Sequence, residues 1–138
     1  MEYAAVGAVL ALLAGAIGTV VGFEKDRAFY PTILIVVGLG YDLFAAMAGS
    51  GHALGLETIG AAVVLIAAVV GFRFNLWIVV AGLAGHGLFD LVHGQIIENP
   101  GVPAWWPAFC MTYDVTAAGY LAWRLTRSGG KPAKAAAQ

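Results

Sequence analysis

The segment HGLFDLVH, His86 to His93, puts His86, Asp90 and His93 at positions i, i+4 and i+7 of an apolar stretch. On a helix these positions fall at about 0°, 40° and −20°, one narrow stripe. Imidazole nitrogen and carboxylate oxygen are ordinary ligands of zinc and of other divalent transition metals such as manganese, iron and copper. The stripe is about 10 Å long, so His86 and His93 do not share one ion without strain. One pair from this segment with Asp42 or Asp114, each in another apolar stretch, makes the better shell. The remaining member would orient a ligating histidine through its second nitrogen. Asp42 or Asp114 would complete that shell or serve as general base. The pattern is not a short motif of the HExxH kind.

Each of these residues also has a plain reading. A protonated Asp can fasten two helices by a hydrogen bond, and a His near an interface can simply meet water. Their number and placement favour a site, because an ionisable group at the centre of a membrane helix costs about 2.5–3.5 kcal/mol. Cys110 lies one turn before Asp114 and could face the same cluster, although a lone thiol in an apolar stretch is more often inert packing. His52 reads as solvated. No Lys falls inside an apolar stretch, which argues against a retinal-type Schiff base, and Ser50 and Ser128 lie outside them. YDLFAA (Tyr41 to Ala46) and YDVTAA (Tyr113 to Ala118) look alike, but their surroundings do not match.

The elements that must carry these residues follow from composition. The chain of 138 residues is 61% hydrophobic and only 11% charged, with a mean hydropathy of +0.85. A soluble domain is roughly 45–50% apolar and about 25% charged. So few charges exclude a cytosolic enzyme, a disordered tail and a nucleic-acid binder. A single cysteine excludes a disulfide scaffold. The composition predicts an all-α integral membrane bundle of five transmembrane helices, residues 1–127, with the lipid bilayer as its surroundings. The spans run from Tyr3 to about Phe23, Tyr30 to Ala48, Leu54 or Thr58 to Phe72 with Glu57 at the interface, Asn75 to Val92, and Trp106 to Leu125. Runs such as AAVVLIAAVV do not alternate, so a barrel is excluded.

Lys25, Arg27, Arg73, Arg124, Arg127, Lys131 and Lys134 are all seven basic residues, and all fall on one side of a five-span chain. Positive charge stays inside, so the amino terminus faces out and the carboxyl terminus in. Met1-Glu2-Tyr3 offers no basic n-region, which argues for a retained first span rather than a cleaved signal. Residues 128–138 read as a flexible basic cytoplasmic tail. By helical rise, Asp114 lies near the midplane, with Asp42 and His86 slightly outward, Asp90 roughly 9 Å out and His93 roughly 13 Å out. Acids and histidines therefore gather in the outer half.

Gly18 and Gly22 form a GxxxG pair in span one. It suits association with a second copy or a larger membrane complex, or ordinary packing within the chain. The outer loop ENPGVPAWWP, Glu98 to Pro107, is stiffened by three prolines and carries Trp105 and Trp106. It reads either as a lid over the polar cluster or as an interfacial anchor for span five.

Together FEKDRAFYPT (Phe23 to Thr32), HGLFDLVH and NPGVPAWWPAFC (Asn99 to Cys110) resemble a group of small bacterial multi-pass membrane proteins without an assigned activity. The resemblance implies a bacterial inner membrane. It supplies no substrate, cofactor or catalytic residue.

The leading expectation is thus a membrane protein with a His/Asp site open to the outer face, working as a metal-dependent enzyme. An accessory subunit of a larger complex is the first rival, and a proton or cation conductor the second. The conductor is disfavoured because the inner half offers no polar relay.

Overall fold

The computed structural model describes residues 1–25 and 27–128. Residues 129–138, most of the expected basic tail with Lys131 and Lys134, lie outside the described residues. The helices are α1 (Glu2–Val21), α2 (Phe29–Gly38), α3 (Gly40–Met47), α4 (Gly51–Arg73), α5 (Leu76–Asp90), α6 (His93–Ile96) and α7 (Trp106–Ser128). No strand occurs among the described residues. The stretches Glu2–Val21, Phe29–Met47 and Gly51–Arg73 are long and apolar enough to cross a membrane. α5 is apolar but has only 15 residues. α7 is long enough but carries Asp114, Arg124 and Arg127.

Local chemistry sets the ends. α1 stops at Gly22, which takes the left-handed conformation, φ 87°, that glycine adopts without steric cost. Ser50 caps α4 by accepting from the Ala53 amide at 3.3 Å, and Asn75 caps α5 by accepting from the Trp77 amide at 3.0 Å. Only Phe74 and Asn75 separate α4 from α5, so the two run as neighbours.

In the bundle α7 lies between α1 and α5, and α4 lies between α5 and the α2–α3 pair. Leu34, Val79 and Leu83 are fully buried at its centre, with Ala68, Ala117 and Leu121 around them. α1 turns Gly7, Ala11, Gly15 and Gly18 inward. A Cβ at Gly7 would strike the Phe109 carbonyl, one at Gly15 the Tyr120 ring and one at Gly18 the Phe29 ring. The small residues of span one therefore pack within the chain, and Gly22 of the GxxxG pair serves as the helix stop.

Leu, Val and Ile side chains of α1 and α4 are widely exposed, including Val9, Ile17, Val63 and Ile66. Such surfaces are compatible with a membrane protein. At one end Arg124 pairs with Glu24 at 2.5 Å, and Tyr30 donates to the same carboxylate at 2.9 Å. At the other end Trp105 stacks on Tyr3 and Trp106 packs edge-on against Phe44.

α4 starts at Gly51, and the Glu57 side chain is buried within the bundle in its second turn. One span expectation needs correction. The fourth stretch is not one helix to Val92, because α5 ends at Asp90 and turns through Leu91 and Val92 into α6. The Leu91 amide bonds Leu88 and the Val92 amide bonds Phe89, tighter than the α-helical step.

Candidate metal centre

α5 and α7 each present a polar pair one helical turn apart, His86 with Asp90 and Cys110 with Asp114. The two pairs face each other because Gly87 removes the side chain between them. A Cβ at Gly87 would lie 3.0 Å from the Met111 carbonyl and 3.2 Å from Asp114 Cβ. The helices therefore approach closely at this level, as small residues permit in lipid.

His86 Nδ1 lies 2.7 Å from Asp114 Oδ2 and 3.9 Å from Asp90 Oδ2. Donor atoms of His86, Asp90, Cys110 and Asp114 all fall within 4.8 Å of one another. All four residues are buried, Asp114 completely. Two carboxylate oxygens of the group, Asp90 Oδ2 and Asp114 Oδ1, have no hydrogen-bond partner. A buried, unpaired carboxylate oxygen is costly, and a cation is one way to satisfy it. With bonds of 2.0–2.3 Å, tetrahedral donors stand about 3.3–3.8 Å apart. This set is about 1 Å too open for a closed shell. It suits an ion held after a small side-chain movement.

The Asp90 carboxylate is held from the opposite side. Tyr41 of α3 donates its hydroxyl to Asp90 Oδ1 at 2.6 Å. The Tyr41 ring stacks on His93, centroids 3.8 Å apart and planes 13° from parallel, and lies 6.1 Å from the His86 ring. His93 belongs to a second polar pair. Its Nε2 is 2.8 Å from Glu57 Oε1, and the Asn99 side-chain amide donates to that same oxygen at 2.9 Å and to the Tyr41 carbonyl at 3.0 Å. Gly101, in the loop between α6 and α7, lies hard against the Phe44 carbonyl. The loop is thus folded down over the second pair, with Asn99 as its point of attachment.

The sequence-derived candidates separate into three groups. His86, Asp90 and Asp114 meet. His93 is buried but joins Glu57, because the turn at Leu91–Val92 takes it off the α5 stripe. Asp42 does not join the cluster: Oδ1 accepts from the Thr58 hydroxyl at 2.7 Å, in a groove lined by Leu39, Ala62 and Leu65. Its neighbour Tyr41 takes the inward position instead. Cys110 enters the cluster, as its one-turn spacing from Asp114 allowed. Glu57, Tyr41 and Asn99 are the residues that sequence reasoning left out of the site. Only the ionisable nature of Glu57 and its position near a span end hinted at a role.

A cavity of about 380 Å³ adjoins the cluster between α4 and α5. Tyr41, Glu57 and His86 reach it, and the remaining wall is apolar or glycine. Comparison with protein families, with characterised proteins and with solved structures finds no match, so the functional reading rests on these residues alone.

Proposed function

We propose that this chain is a five-span membrane protein that holds one divalent transition-metal ion between α5 and α7. In this reading α5 with α6 forms the fourth span and α7 the fifth. The basic residues at one end keep that end, and the carboxyl terminus, in the cytoplasm of a bacterial inner membrane. His86, Asp90, Cys110 and Asp114 are the ligand set, and His93 is a neighbour rather than a ligand. Tyr41 positions Asp90 through its hydroxyl. Asp42 has no part in the centre.

The observation that carries the reading is the meeting of four donors from two helices with two carboxylate oxygens unpaired. A set of one nitrogen, one sulfur and two oxygens suits zinc or iron better than manganese, because thiolate favours the softer ions. Such an ion, when bound, supplies Lewis acidity to a group entering the adjoining cavity. The cavity is what favours a metal-dependent membrane enzyme over a purely structural centre.

Elemental analysis of the purified protein should give about one metal per chain, and His86→Ala should lose most of it. Cobalt substitution should give a thiolate charge-transfer band that Cys110→Ser abolishes. A folded protein without metal, and without a thermal shift on adding zinc, manganese, iron or copper, overturns the proposal. The cluster would then be a packing network, and an accessory subunit of a larger complex would be the better reading.

A further inference from the structure

The cavity between α4 and α5 has a defined shape. At its inner end the helices close, with Gly71 pressed against Val79. At its outer end the Glu57–His93 pair closes it. Between these ends Gly60, Ala81 and Gly85 line the cavity, and all three are exposed on the outer surface of the bundle. A Cβ at Gly60 or Gly85 would meet nothing within 4 Å. The opening therefore faces sideways, between two helices whose flanking residues, Val63 and Leu88, are 64% and 61% exposed. Its volume of about 380 Å³ exceeds that of a dry apolar cavity of about 150 Å³ known to hold benzene.

Polar groups occur on one part of this wall only, at Tyr41, Glu57 and His86. The Tyr41 hydroxyl is already committed to Asp90. Glu57 Oε1 is taken by His93 and Asn99, which leaves the second carboxylate oxygen as the acceptor. His86 uses Nδ1 toward Asp114, and its other nitrogen accepts or donates according to tautomer. A hydroxyl both donates and accepts, so it suits Glu57 together with either form of His86. A carboxylate or phosphate head would lie against the carboxylate of Glu57, the one acid among the described lining residues. Like charges at this range disfavour it strongly.

We propose that the cavity takes a membrane-dissolved long-chain alcohol, entering between α4 and α5 with its hydroxyl at Glu57 and His86 and its hydrocarbon along the glycine-lined wall. This gives the substrate class of the metal centre and rests on that reading only for the reactive role of the hydroxyl. The binding itself depends on the cavity.

The test uses the full chain in liposomes and a photoactivatable long-chain alcohol bearing a diazirine along its chain. Labelling should be saturable by excess unlabelled alcohol and should map to Val64, Ala81 and Phe89. Gly60→Leu combined with Gly85→Leu should reduce saturable labelling at least tenfold and leave non-saturable labelling of α1 unchanged. Both glycines border open space, so unchanged thermal unfolding of this variant shows that the cavity was filled without loss of fold. Asp114→Asn should lose metal and keep saturable labelling. Saturable labelling without any bound metal removes the metal proposal and leaves this one standing. Bound metal with labelling that does not saturate does the reverse. Equal labelling by a fatty acid overturns the assignment of the head group. Gly60→Cys copies that join through a disulfide, with no saturable labelling, would show a second copy as the occupant and overturn the proposal.

Discussion

His86 and Asp114 lie 28 residues apart in sequence and 2.7 Å apart in space, both buried. Neither helix alone makes the site. The contact exists because α5 and α7 touch at Gly87, so the distance between backbones decides whether the donors converge.

Gly87→Ala should therefore act on the centre although alanine has no functional group. Its methyl group must displace the Met111 carbonyl or the Val115 side chain. We expect a loss of about 1–3 kcal/mol of stability, typical of overpacking, and weaker metal binding. Gly85→Ala, two residues away and facing open space, should be neutral or stabilise by up to about 1 kcal/mol. Thermal unfolding and metal content of the two variants compare them directly. Equal effects would contradict the role assigned to Gly87.

Metal retention should depend on pH with a definite sign. A proton and a metal ion compete for the same imidazole lone pair and the same carboxylate oxygens. Lowering pH through the ordinary histidine range, near ~6.5, should release the ion, and raising it again should restore binding. Titration of bound metal by equilibrium dialysis reads this out. Affinity that rises on acidification would argue against imidazole ligation.

Glu57 should matter for stability more than for metal content. Glu57→Leu leaves buried His93 without its partner, at about 1–3 kcal/mol, and takes one of two acceptors from the half-buried Asn99 amide. Glu57→Gln keeps an acceptor oxygen and should cost less. Both variants should retain metal, because Glu57 is outside the four-donor group. Loss of the ion in Glu57→Gln would move Glu57 into the ligand set.

The topology can be read with reporters. Fusions after Arg73 and after Gln138 should report the cytoplasm, and a fusion after Gly51 the outside. A cytoplasmic signal after Gly51 would remove the five-span arrangement.

Part of this was legible in the chain itself. An acid or histidine within an apolar run has few uses, so His86, Asp90 and Asp114 stood out by cost alone. Their partners did not. Tyr41 and Asp42 are adjacent, and which of them turns inward depends on helix phase, which the turn at Leu39 resets. The paired segments YDLFAA and YDVTAA make the point: the first turns its Tyr toward the cluster, the second its Asp. His93 left its expected stripe because the helix ended at Asp90, and nothing in FDLVHG marks that end. The pairing of Glu57 with His93 was hidden because an acid near a span end reads the same whether it meets water or a partner within the bundle.

The shortness of α5 has a consequence for the lipid around the molecule. Its 15 residues rise about 22 Å, while α1 rises about 30 Å and α4 about 34 Å. A hydrocarbon core near 30 Å matches α1 and overshoots α5. If α5 crosses the bilayer as proposed, with only the four residues of α6 to extend it, the side where it exposes Trp77 and Leu88 offers lipid a shorter apolar face than the side of α1. A lopsided collar of this kind would make the protein sensitive to membrane thickness. Acyl chains beside the lateral opening would be the most compressed, and so the readiest to leave the bilayer.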